Sequence, residues 1–164
     1  MNSKILFLDR DGVINKKRND YVKSWEEFEF LNGVKEALKI FLDFKYKIII
    51  VTNQSVINRK IISKKDLKNI HEKMILELEK NEINIDAIYY CPHTPDEKCE
   101  CRKPKTGLLK NALKKFNFHP QDCILIGDSI TDIQAGDDFG VKTYLLGKEN
   151  NLLDLTKKIL EIKT

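Results

Sequence analysis

The chain alternates between short apolar runs and longer stretches in which apolar residues recur at helical spacing. The runs "KILFL" (Lys4–Leu8), "KIIIVT" (Lys47–Thr52), "DAIYY" (Asp86–Tyr90), "CILIG" (Cys123–Gly127) and "KTYLL" (Lys142–Leu146) have strand length and strand composition. Between the first two, Val34, Ala37, Leu38, Phe41 and Leu42 predict a helix within Gly33–Phe44. Ser63 is a good N-cap, with Asp66 three residues on as a capping-box partner. Leu67, Ile70, Met74, Ile75 and Leu78 share one face of the long helix that follows. Further helices are predicted near Thr106–Asn117, Ile130–Phe139 and Leu152–Ile162. Apolar strands alternating with helices imply a parallel α/β sheet covered on both faces. In such a sheet ligands bind beyond the carboxyl ends of the strands, where the strand order reverses. The residues that follow each strand therefore carry the functional question.

Polar groups stand at four of those ends. After the first strand comes "DRDG" (Asp9–Gly12), after the second "TNQS" (Thr52–Ser55), and after the third a cysteine-rich stretch ending in Arg102 and Lys103. After the fourth comes "GDSITD", with Asp128 and Asp132. Asp and Asn are common turn residues, so each alone could be structural. Four such sets on one rim point to phosphoryl transfer. A carboxylate at Asp9 can attack phosphorus and form an aspartyl phosphate. Asp9 and Asp128 are hard oxygen ligands suited to Mg²⁺. Asp11 could protonate the leaving oxygen and later deprotonate water, if its surroundings raise its pKa. Arg10, Thr52, Asn53, Gln54, Ser55, Arg102 and Lys103 are the candidate substrate and phosphate ligands, and Gly12 lets the backbone turn sharply beneath the phosphate. The chain contains no G-x-x-x-x-G-K-[ST], which excludes a P-loop site.

Composition narrows the setting. At 164 residues, 41% hydrophobic and 33% charged, the sequence fits one globular domain over 1–164 rather than a disordered chain. Its apolar runs are too short to span a bilayer, and "MNSKILFLDRDG" lacks a signal peptide's apolar core, so a cytoplasmic protein is expected. Thiols in that compartment are usually reduced. The crowding of three of the four cysteines into "CPHTPDEKCECRKP" (Cys91–Pro104) then favours metal or catalysis over a disulfide. The net charge of +4 comes from scattered lysines; it would attract anionic substrates without singling out nucleic acid.

"FLDRDG", "TNQS", "CRKP" and "IGDSITD", in this order and over nearly the whole chain, resemble the motifs of the haloacid-dehalogenase-like phosphatases. The resemblance implies a Rossmann-like three-layer fold with a central parallel sheet. It implies Asp9 as nucleophile, Asp11 as general acid/base, and Thr52 or Asn53 with Lys103 as phosphate ligands. Mg²⁺ would sit on the Asp9 carboxylate, the Asp11 backbone carbonyl and Asp128; Asp132 would be an outer partner or a helix cap. "CPH…CECRKP" is similar to the zinc-bearing loop shared by D-glycero-D-manno-heptose-1,7-bisphosphate 7-phosphatases and histidinol-phosphate phosphatases. On that resemblance Cys91, His93, Cys99 and Cys101 form a closed structural Zn²⁺ set, and a disulfide would leave one of the three thiols odd. "YVKSWEEFEFLNGVKEAL" and "TNQS" look like the heptose enzymes, whereas the short His93–Cys99 loop looks like the histidinol enzymes. Val56, Lys60 and Ser129 depart from the usual residues and bear on the substrate rather than the chemistry. The segments after Gly12 and Ser55 are too short for a cap domain, so a capless fold with an open pocket for a small phosphorylated substrate is expected; with no evident apolar interface stripe in a small soluble fold, a monomer is expected. Arg59 and Arg102 are candidates for a second phosphate or a carboxylate.

Three rivals are weaker. A phosphoacceptor module would carry its aspartate directly after the third strand, where Cys91 stands. A zinc-knuckle RNA-binding module wants exposed aromatics, and Tyr89 and Tyr90 suit strand core better. Polynucleotide 3′-phosphatases share "D-x-D-G" and "TNQ" but lack the zinc loop. His71, His119 and Cys123 read as ordinary structural residues.

Overall fold

A computed structural model describes residues 3–162. All five apolar runs become strands: β1 (Lys4–Leu8), β2 (Tyr46–Asn53), β3 (Ala87–Cys91), β4 (Ile124–Gly127) and β5 (Lys142–Leu145). They form one parallel sheet in the order β3-β2-β1-β4-β5. β2 and β3 each run one residue past the predicted end because Asn53 pairs with Cys91. The sequence-derived α/β sheet, covered on both faces, is therefore the architecture of the chain.

Side chains alternate between the faces of each strand. Leu6, Leu8, Ile48, Ile50 and Ile126 point to one side, packing with Val34, Leu38 and Phe41 of α1 (Val34–Asp43), Ile70 and Met74 of α2 (Lys64–Glu79), and Leu152 of α5 (Leu152–Ile159). Ile5, Phe7, Ile49, Val51 and Leu125 point to the other, against Leu108, Leu109 and Ala112 of α3 (Gly107–Lys115). α4 (Ile130–Phe139) lies on this second face. It comes so close that a Cβ on Gly136 would meet the Thr143 methyl at 2.3 Å. A fully buried side chain of this size contributes about 2 kcal/mol, so both layers hold the sheet.

The helix ends follow local chemistry. Ser63 and Asp66 form the expected capping box at the start of α2. α5 stops at Ile159 rather than Ile162, and Glu161 takes a left-handed φ of 54° beyond it. Among the described residues no cap domain stands over the rim. Residues 9–33 hold a 3-10 turn (Trp25–Glu27) and two isolated β-bridges, Asp11 to Asn15 and Asn15 to Phe30, and residues 54–63 hold no regular element. The chain leaves β1 first toward β2 and β3, then crosses back to β4 and β5, so strand order reverses beside β1. The ends of β1 to β4 converge there.

Candidate active site

Asp9 follows the central strand, its N–H still on the ladder to the Ile126 carbonyl at 3.1 Å. Its Oδ1 accepts from the Arg10 N–H at 2.8 Å and pairs with Lys103 Nζ at 3.2 Å. Lys103 is buried, donates to the Val51 carbonyl at 2.8 Å, and pairs with Asp132 Oδ1 at 2.5 Å. Burial pushes the Asp9 pKa up to about 6. Lys103 opposes that rise, while Asp132, Asp11 and Asp128 add to it.

Carboxylate oxygens of Asp9, Asp128 and Asp132 lie within 4.8 Å of one another. Asp128 Oδ2 accepts from Lys17 Nζ at 2.8 Å, whereas its Oδ1 is buried without a partner. Three converging carboxylates and an unsatisfied oxygen fit a hard divalent cation. Gly12, at φ 85°, makes room for them, since a Cβ there would lie 2.2 Å from Asp128 Oδ2. Asp132 also closes a capping box on α4, its Oδ2 accepting from the Ser129 N–H at 3.2 Å and the Ser129 hydroxyl at 2.9 Å. It is at once cap, partner of Lys103 and third carboxylate of the cluster. The Asp11 carboxylate stands apart from that cluster, so the expected role of Asp11 toward a metal rests on its backbone carbonyl.

Asp11 is held by three side chains. Arg10 Nη2 donates to its Oδ1 and Oδ2 at 3.0 and 3.2 Å, Asn15 Nδ2 to Oδ1 at 2.9 Å, and Gln54 Nε2 to Oδ2 at 2.8 Å. Burial works against its charge, but the Arg10 charge and these hydrogen bonds outweigh it, and the pKa falls below the usual carboxylate range. The expectation of a raised pKa is thus not met. The resting group is an ionised base, because Arg10, which sequence reasoning assigned to substrate, turns its charge inward.

Asp9, Asp11, Asn53, Gln54, Ser55, Arg102 and Lys103 line one cavity of about 290 Å³, with Lys17, Arg18, Tyr21 and Arg59 also on its wall. Two expected ligands sit behind that wall. The Arg10 side chain is fully buried, and Thr52 lies beneath Gln54, whose amide donates to its hydroxyl at 3.0 Å. Asn53 clamps the Lys103 peptide, donating to its carbonyl at 3.1 Å and accepting its N–H at 3.0 Å. Two contacts escaped sequence reasoning. Lys17 sits in a basic run that reads as surface, and His71, which meets Arg10 at 3.0 Å, lies on a helix face that reads as core.

The cysteine loop begins at the last residue of β3. Cys91, His93, Cys99 and Cys101 bring their donor atoms within 4.8 Å of one another, and all four cysteines of the chain are free thiols. Cys91 and Cys101 sulfurs are 3.0 Å apart, and His93 Nδ1 is 3.3 Å from Cys91 and 3.2 Å from Cys101. Three sulfurs and an imidazole nitrogen at these distances fit a four-coordinate metal. The Arg102 N–H donates to Cys99 Sγ at 3.3 Å, and Arg102 Nη1 donates to the His93 carbonyl at 3.1 Å. The loop thereby anchors Arg102, and Lys103 follows it directly in the chain. Cys123 is core, as expected: burial raises its pKa to about 11.

The fold, the aspartate ending its central strand and the buried lysine beside it define a haloacid-dehalogenase-like phosphatase. Residues 4–151 match the family model described as polynucleotide kinase 3 phosphatase, and the chain belongs to this family. It is 44% identical over 149 residues to the D-glycero-alpha-D-manno-heptose-1,7-bisphosphate 7-phosphatase of Campylobacter jejuni, covering 91% of this chain and 85% of that protein. It is 42% identical over 151 residues to the D-glycero-beta-D-manno-heptose-1,7-bisphosphate 7-phosphatase of Helicobacter pylori, covering 92% and 86%. A solved D,D-heptose 1,7-bisphosphate phosphatase from B. bronchiseptica, complexed with magnesium and phosphate, superposes with a TM-score of 0.88 at 29% identity. That match covers 98% of this chain and 99% of the other. No described helix is long and apolar enough to cross a membrane.

Proposed function

We propose that this phosphatase removes the 7-phosphate of D-glycero-D-manno-heptose 1,7-bisphosphate through an aspartyl phosphate on Asp9. The observation that carries the chemistry is the Asp9 carboxylate at the cavity floor, 3.2 Å from buried Lys103. An Asp9 oxygen attacks phosphorus, and the bond to the sugar oxygen breaks. A bound phosphate dianion raises the proton affinity of a carboxylate beside it, so Asp11 takes up a proton from solvent as substrate binds and delivers it to that oxygen. Asp11 then takes a proton from water, which attacks the aspartyl phosphate and releases inorganic phosphate. Lys103 neutralises and orients the phosphoryl oxygens, and Asn53 holds the Lys103 peptide in place for that task. Mg²⁺ held by Asp9, Asp128, Asp132 and the Asp11 carbonyl supplies further charge neutralisation when bound.

The substrate rests on the relatives and on charge. Lys103 lies at the floor while Arg18, Arg59 and Arg102 lie on the walls, which suits a sugar with a phosphate at each end. Histidinol phosphate is the second reading, favoured by the short His93–Cys99 loop. Phosphate release with Mg²⁺ tests both against a 3′-phosphorylated oligonucleotide, with each anomer of the heptose bisphosphate assayed. The bisphosphate should lead in kcat/KM by at least ~10-fold. A lead for histidinol phosphate would move the assignment to that activity, and a lead for the oligonucleotide would make this a nucleic-acid repair enzyme.

Zinc is the ion the cysteine loop suits. Elemental analysis of protein purified without chelator should give ~1 zinc per chain. Cys99→Ser should lose most of it and raise KM more than it lowers kcat, because the loop carries Arg102 to the substrate. Zinc-free wild-type protein would overturn this assignment.

A further inference from the structure

Behind the cavity wall a buried arginine and a buried histidine meet, 61 positions apart in the chain. A guanidinium has five N–H donors and no acceptor. Arg10 Nη1 therefore donates to His71 Nε2 over 3.0 Å, which puts the lone pair on Nε2 and the ring proton on Nδ1. Nη2 of the same group donates to both oxygens of Asp11. Nε is buried without a partner, and the Phe28 ring lies 6.0 Å from the guanidinium carbon. Arg10 is thus gripped through His71 at one end and Asp11 at the other. His71 is itself fixed by α2 and by an edge contact with Tyr90, ring centroids 6.2 Å apart.

We propose that His71 is a positioning residue for phosphoryl transfer: through Arg10 it fixes the orientation of the Asp11 carboxyl toward the leaving oxygen. This role rests on the acid–base reading of Asp11 given above. A neutral acceptor is what the position requires. A carboxylate there would pair with Arg10 and draw its charge away from Asp11. An aliphatic side chain would leave Nη1 unbonded and free the guanidinium to turn. Burial, reinforced by the Arg10 charge, holds the imidazole pKa down to about 3 against the pull of Asp11. The ring is therefore an acceptor throughout the neutral range. Asn15 and Gln54 continue to hold Asp11 when Arg10 slips, so the loss is one of alignment.

The test compares two leaving groups. An alkyl phosphate needs a proton delivered to its leaving oxygen, whereas p-nitrophenyl phosphate leaves as a stable phenolate. His71→Leu should lower kcat/KM on heptose bisphosphate by ~10-fold or more and on p-nitrophenyl phosphate by less than ~3-fold. His71→Gln, whose amide oxygen can accept from Nη1, should recover most of the loss. Equal losses on the two substrates, or a folded Gln variant no better than Leu, would overturn the role. Should the Leu variant fail to fold, imidazole ¹⁵N shifts of the wild type decide. A neutral Nδ1–H ring between about pH 5 and 8 supports the proposal, and an Nε2–H ring or titration in that range overturns it. If histidinol phosphate proves the better substrate, it serves as the alkyl phosphate and only the substrate assignment changes. A wild type inert on every phosphomonoester would remove the Asp11 reading and this role together.

Discussion

Asp9→Asn protein should fold, bind metal weakly and release no phosphate above background, a loss of ~10⁴-fold or more. The amide keeps the shape of the side chain but is a poor nucleophile and cannot carry the phosphoryl group. The same variant should be no less stable than the wild type in metal-free buffer at pH 7. Burial and three neighbouring carboxylates raise the Asp9 pKa from 3.8 to about 6. The sign follows from linkage: a carboxyl with a raised folded-state pKa helps the native state below pH 4 and loses that help as pH rises toward 6. Above that, ionised Asp9 weighs against folding by roughly 1–3 kcal/mol, which the amide removes. Urea unfolding with and without Mg²⁺ checks both halves. Residual turnover within ~10²-fold of wild type would end the covalent mechanism, and a clear loss of stability would show that Asp9 supports the fold.

Lys103→Met should show the opposite pattern of stability. Lys103 is buried between Asp9 at 3.2 Å and Asp132 at 2.5 Å, and those two carboxylates hold it charged despite its burial. Methionine keeps an unbranched side chain one atom shorter and leaves both acids facing an apolar end. Breaking a buried charge arrangement by removing one partner costs about 3–5 kcal/mol. Unfolding should shift by about 3 kcal/mol or more at pH 7, and turnover should fall by at least ~10²-fold because a charge aimed at the phosphoryl oxygens is gone. An unfolding curve that overlays the wild type would mean that the carboxylates find another counterion, with Lys17 on Asp128 as the evident source.

Much of this was legible in the linear order of residues. β1 was predicted at its observed bounds, because Lys4 opens a run that is apolar from Ile5 to Leu8 and "DRDG" stops it. The four strand-end motifs come together because a parallel sheet sends every strand end to one rim. What was not legible depends on contacts between distant segments. Arg10 looks like a phosphate ligand beside Asp9, and only the approach of α2 shows its charge turned toward His71. Thr52 ends an apolar run and reads as a phosphate ligand, yet Gln54 folds back over its hydroxyl. The pKa of Asp11 could not be read from its neighbours in sequence, since Gln54, one of its partners, is 43 positions away. Asp132 looked like either a cap or an outer partner of the metal, and the structure shows that one carboxylate serves as cap and charge partner together.

β1 is the seam of the sheet: β2 and β3 lie to one side of it, β4 and β5 to the other, and the two halves meet nowhere else within the sheet. Lys103 is delivered from beyond β3, Asp128 from beyond β4, and Asp9 from the seam itself. A chain that has docked only β2 and β3 on the seam therefore lacks Asp128 and Asp132, and one that has docked only β4 and β5 lacks Lys103, so neither half owns the complete site. Anything that binds across the rim recognises the finished molecule alone and draws the folding equilibrium toward it. In the life of the protein, substrate and ion would then act as inspectors of assembly, retaining complete molecules and leaving half-built ones to be unfolded again or degraded.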